Sequence, residues 1–173
     1  MSFKKTLCIL AAVLLLSLSA CNKDTTAPAG FVTASGEAAR YSFYVPKEWT
    51  VDLSTGATSA YFSTEDPSSV SVMTWELPAS DTTLDDWWSM NREDIQMVFQ
   101  NVKILSETDT TIDGVYAKTY VYNATLGEYT YTVQQTAAIQ GYEIYLITYT
   151  SLADNFAAHE AEVAQMLQYF TFN

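Results

Sequence analysis

Tyr142-Glu143-Ile144-Tyr145-Leu146-Ile147-Thr148-Tyr149 carries large apolar side chains in both of its alternating sets. Successive residues of a strand point to opposite faces, so a strand written this way is one covered on both sides. It closes a series of long extended segments. Residues 128–139 precede it across Gln140-Gly141, and the chain reverses once more between residues 124 and 127. Further back, residues 102–112 and 115–123 flank Asp113-Gly114, a dipeptide suited to the positive φ angles of a type I′ hairpin turn. The reading is an antiparallel meander with long strands. A sheet needing cover on both sides fits helices above and below it.

Two segments have helical spacing. In residues 83–100, Leu84, Trp88, Asn91, Ile95, Val98 and Phe99 fall on one stripe at 100° per residue, with Trp87 at its flank. Asp81, Thr82 and Thr83 offer N-caps, and Asp85 and Asp86 complement the helix dipole. Met90 and Met97 lie opposite the stripe, beside Asp86 and Glu93, where polar residues are expected. Methionine adapts to irregular surfaces, so these two are either covered by a second layer, such as the linker, or the candidate residues for contact with a protein partner, an envelope protein given the address read below. In residues 153–168, with Ser151 or Asp154 near the cap, Phe156, His159, Val163, Met166 and Leu167 form the second stripe. Residues 41–46, 49–53, 57–63 and 70–77 read as short strands before the first helix, with turns at 54–56 and 65–68, and residues 169–172 as a last extended piece. The order is strands, helix, meander, helix. That is an α+β fold, a twisted antiparallel sheet flanked by helices on both faces.

The N-terminus gives an address. Lys4 and Lys5 precede an apolar run that ends in Leu18-Ser19-Ala20-Cys21. This resembles a bacterial lipoprotein signal, which implies removal of residues 1–20 and lipid attachment to Cys21. The run is shorter than the ~20 residues that cross a bilayer and contains Ser17 and Ser19, which argues against a transmembrane anchor. An ordinary secretory signal would leave Cys21 as a free thiol outside the cell. Residues 21–39 then read as a flexible tether of about 20–25 Å reach, and residues 40–173 as a single domain. The expected location is the cell envelope, on the outer face of the cytoplasmic membrane or, in a two-membrane cell, the outer membrane.

Charge narrows the partners. The formal net charge is −12, and the leader removes Lys4 and Lys5 but no acid. The remaining bases, Lys23, Arg40, Lys47, Arg92, Lys103 and Lys118, are scattered, which argues against nucleic acid and against docking of the domain on anionic lipid. Cys8 leaves with the leader and Cys21 would be acylated. No thiol then remains for a disulfide or a thiolate metal site, so packing must hold the domain together.

No catalytic pattern emerges. His159-Glu160 resembles the start of a metalloprotease His-Glu-x-x-His, but Val163 stands where the second histidine would be, and the chain has one histidine in all. His159 reads instead as a residue at the edge of the core. Glu107, Asp109 and Asp113 recur on one strand face, without the loop of a calcium site, and read as a solvated edge. Trp75, Trp87 and Trp88 could line a groove, but core packing explains them better. No cofactor is expected.

Tyr41-Ser42-Phe43-Tyr44-Val45-Pro46-Lys47-Glu48-Trp49 resembles the opening strand and Pro-Lys-x-Trp turn of the PsbP fold group, which holds the extrinsic photosystem II protein and the nuclear import factor that binds Ran. The likeness runs on through the Trp75-Glu76-Leu77 strand, the long helix and the ending Phe170-Thr171-Phe172. It implies a twisted antiparallel sheet between helices, and a function as an accessory or binding module rather than an enzyme. Tyr41, Pro46 and Trp49 are then structural. A carboxylate-based envelope hydrolase and a solute-binding protein are the other readings.

Overall fold

The computed structural model describes residues 26–54 and 57–173. The leader, Cys21 and the start of the tether lie outside the described residues, as does most of the turn at 54–56. Eleven strands and two helices are described, in the order β1 (Phe31–Thr33), β2 (Tyr41–Ser42), β3 (Tyr44–Pro46), β4 (Thr50–Asp52), β5 (Thr58–Tyr61), β6 (Ser69–Glu76), α1 (Leu84–Val98), β7 (Gln100–Ile112), β8 (Val115–Leu126), β9 (Tyr129–Gln140), β10 (Glu143–Leu152), α2 (Phe156–Tyr169) and β11 (Thr171–Phe172). Seven of the strands form one antiparallel sheet in the order β4-β5-β6-β10-β9-β8-β7. The fold is α+β. The meander β7 to β10 is its larger part, and β6 returns from before α1 to pair with β10.

Turn chemistry sets the meander. Asp113 and Gly114 both have positive φ, 47° and 77°, so the β7–β8 hairpin closes at the dipeptide that signals it. Gly127 and Gly141, at φ 62° and 65°, turn the next two hairpins. On β10 the two alternating sets then part. Ile144 and Leu146 share an apolar cluster with Leu84, Trp87, Trp88 and Ile95 of α1, whereas Tyr145, Ile147 and Tyr149 share another with Phe156, Val163 and Met166 of α2.

Both helices lie close to their expected spans, with instructive differences at the ends. Thr83 is the N-cap of α1 in a capping box: its Oγ1 accepts the Asp86 N–H at 3.1 Å while Asp86 Oδ2 accepts the Thr83 N–H at 3.1 Å. Trp87, expected at the flank of the stripe, is buried, and Val98, expected on it, is 65 % exposed. Val98 is the last helical residue, and Ile95 is the last one buried. The N-cap of α2 is Asn155 rather than Ser151 or Asp154, because Ser151 still belongs to β10, where its hydroxyl lies 2.7 Å from that of Ser68.

The N-terminal edge of the domain also differs from the expectation. Residues 31–34, read as tether, belong to the folded body: β1 pairs with β3, Ala34 is fully buried, and the Phe31 ring meets Tyr169 edge-on at 5.0 Å. A three-residue strand between Gly and Ser residues has no periodicity to announce it. Residues 41–46 are two strands, not one. β2 pairs with β11 and β3 with β1, so the chain changes partner at Phe43, whose carbonyl accepts the Ala34 N–H at 2.8 Å.

Candidate functional site

Three places among the described residues hold the histidine, the engaged acids and the exposed methionines. The first surrounds His159, the buried histidine of α2. Glu162, one turn further along α2, places Oε2 2.9 Å from His159 Nδ1, and Asp66, in the turn before β6, places Oδ2 3.1 Å from Nε2. Trp49 donates its indole N–H to the same Glu162 oxygen at 2.9 Å, and the rings of Phe62 and Trp49 stand 4.3 and 5.3 Å from the imidazole. The carboxylates occupy opposite ends of the ring. They cannot converge on one metal ion, and among the described residues no group of acids, histidines and cysteines is placed to hold one. Ser68 bonds Asp66, at 2.6 Å, and not the histidine, so this is not the relay of a serine nucleophile. Burial pushes the Asp66 carboxyl up, but hydrogen bonds from Ser68, His159 and Asn155 outweigh it and hold the group below the usual carboxylate range. The cluster ties α2 to the turn before β6 and to the Trp49 turn.

The second place is a cleft of about 520 Å³ bordered by β5, β6, β10 and the segment leading into β2. Arg40 Nη1 donates to Glu143 Oε1 at 2.9 Å, and Tyr145 donates its hydroxyl to Glu143 Oε2 at 2.9 Å. Tyr41 donates to Thr58 Oγ1 at 2.7 Å. Burial, and then the bond to Glu143, pushes the Tyr145 phenol up to about 12. The described lining holds one carboxylate, Glu143, and both of its oxygens are engaged. The two-carboxylate chemistry of a hydrolase needs a second acid, and the described lining does not bring one in.

The third is the outer face of α1. Met90 is 49 % and Met97 77 % exposed, on the side away from the buried Leu84, Trp87, Trp88 and Ile95. The other acids and aromatics singled out in the sequence have separate partners. Glu107 accepts the Trp88 indole N–H at 3.3 Å, Asp109 the Tyr116 hydroxyl at 2.8 Å, and Asp113 the Phe172 N–H at 3.0 Å. Those three carboxylates therefore do not form a common site. Asp85 pairs with Lys118, and Trp88 stacks on Tyr120 at 3.8 Å in the core. Sequence reasoning missed Asp66, Glu143 and Arg40. Glu162 had a local signal, its i,i+3 spacing from His159, but Asp66 and His159 are brought together only by the sheet.

No family model matches the chain, and no curated protein does. Solved structures do. Cyanobacterial PsbP, CyanoP from Synechocystis, superposes with a TM-score of 0.60 at 17 % identity, covering 90 % of this chain and 99 % of its own. The fold is PsbP-like. Two further structural neighbours have other settings. PA94, a protein of unknown function from Pseudomonas aeruginosa, has a TM-score of 0.59 at 16 % identity and covers 83 % of this chain and 97 % of its own. LpqN, involved in cell envelope biogenesis of Mycobacterium tuberculosis, has a TM-score of 0.55 at 12 % identity, with 87 % and 82 % covered. At such identities the PsbP-like likeness establishes the fold and leaves function to the site. No helix among the described residues is long and apolar enough to cross a membrane.

Proposed function

We propose that this protein is a lipid-anchored, extracytoplasmic accessory module, held to a membrane by acyl chains on Cys21 and acting by docking an envelope protein through the outer face of α1. In this reading it is not an enzyme. Each helix covers one face of the sheet, and the face that α1 turns away from the sheet is the one offered to the partner. The observation that carries the proposal is the exposure of Met90 and Met97, at 49 % and 77 %, on a helix whose opposite side is anchored by buried tryptophans. Flexible, polarizable side chains on a rigidly seated helix suit a partner surface. Two further points support the reading. A structural neighbour, LpqN, is involved in cell envelope biogenesis, and the acids that come together here, Asp66 and Glu162, are spent on His159.

Anchoring is tested by substituting Cys21→Ser. The variant is expected to lose acyl label and to leave the membrane fraction while keeping its fold by circular dichroism. Acyl label retained on the serine variant would refute the anchor.

A further inference from the structure

A slot of about 300 Å³ separates the C-terminal half of α1 from the sheet beneath it, apart from the methionine face. Ile95 and Phe99 form its roof, and Leu126, half exposed, and Tyr131 its sides. The floor is a patch of β8, β9 and β10. Tyr122 is in register with Val133 and Val133 with Thr150, while Gln135 is in register with Thr148. The volume is at the small end for a ligand pocket, and the walls are apolar.

Two polar groups in that floor lack a partner. Tyr122 is 2 % and Gln135 8 % exposed. Gln135 Oε1 accepts from Asn91 Nδ2 at 3.0 Å, which leaves its NH₂ free, and neither that NH₂ nor the Tyr122 hydroxyl has a hydrogen-bond partner among the described residues. Burial pushes the Tyr122 phenol up with no hydrogen bond opposing it, in contrast with Tyr41, where Thr58 lowers it. Neither atom is sealed in the core, since the buried side-chain atom without a partner among the described residues is Tyr120 Oη; both residues line the slot, where a ligand could pair them. The Gln135 NH₂ can only donate and the Tyr122 hydroxyl can donate beside it, so one acceptor satisfies both. No Lys, Arg or His lines the slot and the protein is strongly acidic, which disfavours a buried anion. An acceptor that is uncharged and carried on an apolar body is a carbonyl oxygen.

We propose that the slot binds the acyl chain of an uncharged ester, of the monoacylglycerol type, whose carbonyl oxygen accepts hydrogen bonds from the Tyr122 hydroxyl and the Gln135 NH₂. The apolar chain lies under Ile95 and Phe99, and the polar head leaves past Leu126. This does not depend on partner docking at Met90 and Met97.

The test is a calorimetric titration of the full chain carrying Cys21→Ser, so that no lipid of its own competes, with monomeric monodecanoylglycerol. Saturable one-to-one binding is expected. The matching decyl glyceryl ether, which lacks the carbonyl, should bind about tenfold more weakly, and decanoate more weakly than the ester. Tyr122→Phe keeps the ring and removes the hydroxyl. It should bring the ester to the affinity of the ether and leave the ether unchanged. Thr150→Phe, which fills the floor, should abolish binding of both. Absence of saturable ester binding, equal affinity for ester and ether, or an equal loss of both in Tyr122→Phe would overturn the proposal.

Discussion

At the scale of single residues, Asp66 carries the most consequence. It accepts from Ser68 and meets His159, and those bonds hold its carboxyl below the usual range. A group whose pKa is depressed by folding contributes stability that is complete above its unfolded pKa and is lost as pH falls through the lower folded one. We therefore expect chemical-denaturation stability to decline as pH drops below about 4, the ordinary carboxylate value. Asp66→Asn should be less stable at neutral pH and show a flatter acid limb; an acid limb identical to that of the parent would contradict the assignment. The sequence made His159 legible as a structural residue, since no second histidine or nucleophile pattern accompanies it. Its partners were not legible. An aspartate in a turn 93 positions away reaches the imidazole only because β5, β6 and β10 set that turn against α2.

At the scale of elements, legibility followed the strength of the local code. Asp113-Gly114 fixed a hairpin by its φ preference, and Thr83 with Asp86 fixed the start of α1 by reciprocal hydrogen bonds, both readable within four residues. Thr83→Ala removes the side-chain half of the capping box and should cost about 1 kcal/mol, read as a shift in denaturation midpoint with unchanged slope. No change would mean that tertiary packing alone seats the helix. Elements without a local code were misread. β1 has three residues and is held by β3 and by Phe31 against Tyr169, so only the assembled domain reveals it. The break at Phe43 was hidden for the same reason, because both halves of residues 41–46 are extended and differ only in which strand they pair with. Trp87 and Trp88 are adjacent yet both buried, since the aromatic side chains of Trp75, Tyr120 and Tyr122 below form a surface broad enough for both.

At the scale of the whole molecule, a PsbP-like sheet gives the described residues, which include no cysteine, a body held by packing, and in the proposed reading its function rests on what that body displays. The body was legible in the meander, and the address read from Leu18 to Cys21 lies outside the described residues; the slot beneath α1 was not legible, because Tyr122, Gln135 and Thr150 come from three strands whose register no local pattern states. The docking face of α1 is the central claim, and site-specific cross-linking reads it directly. A photo-reactive amino acid replaces Met90 or Met97 in turn, and Thr108 on β7 as a control, in cells that make the full chain. Both helix positions should give the same discrete adduct and position 108 none. No adduct from either methionine position, or the same adduct from all three, would contradict the claim that this face of α1 is where the partner docks.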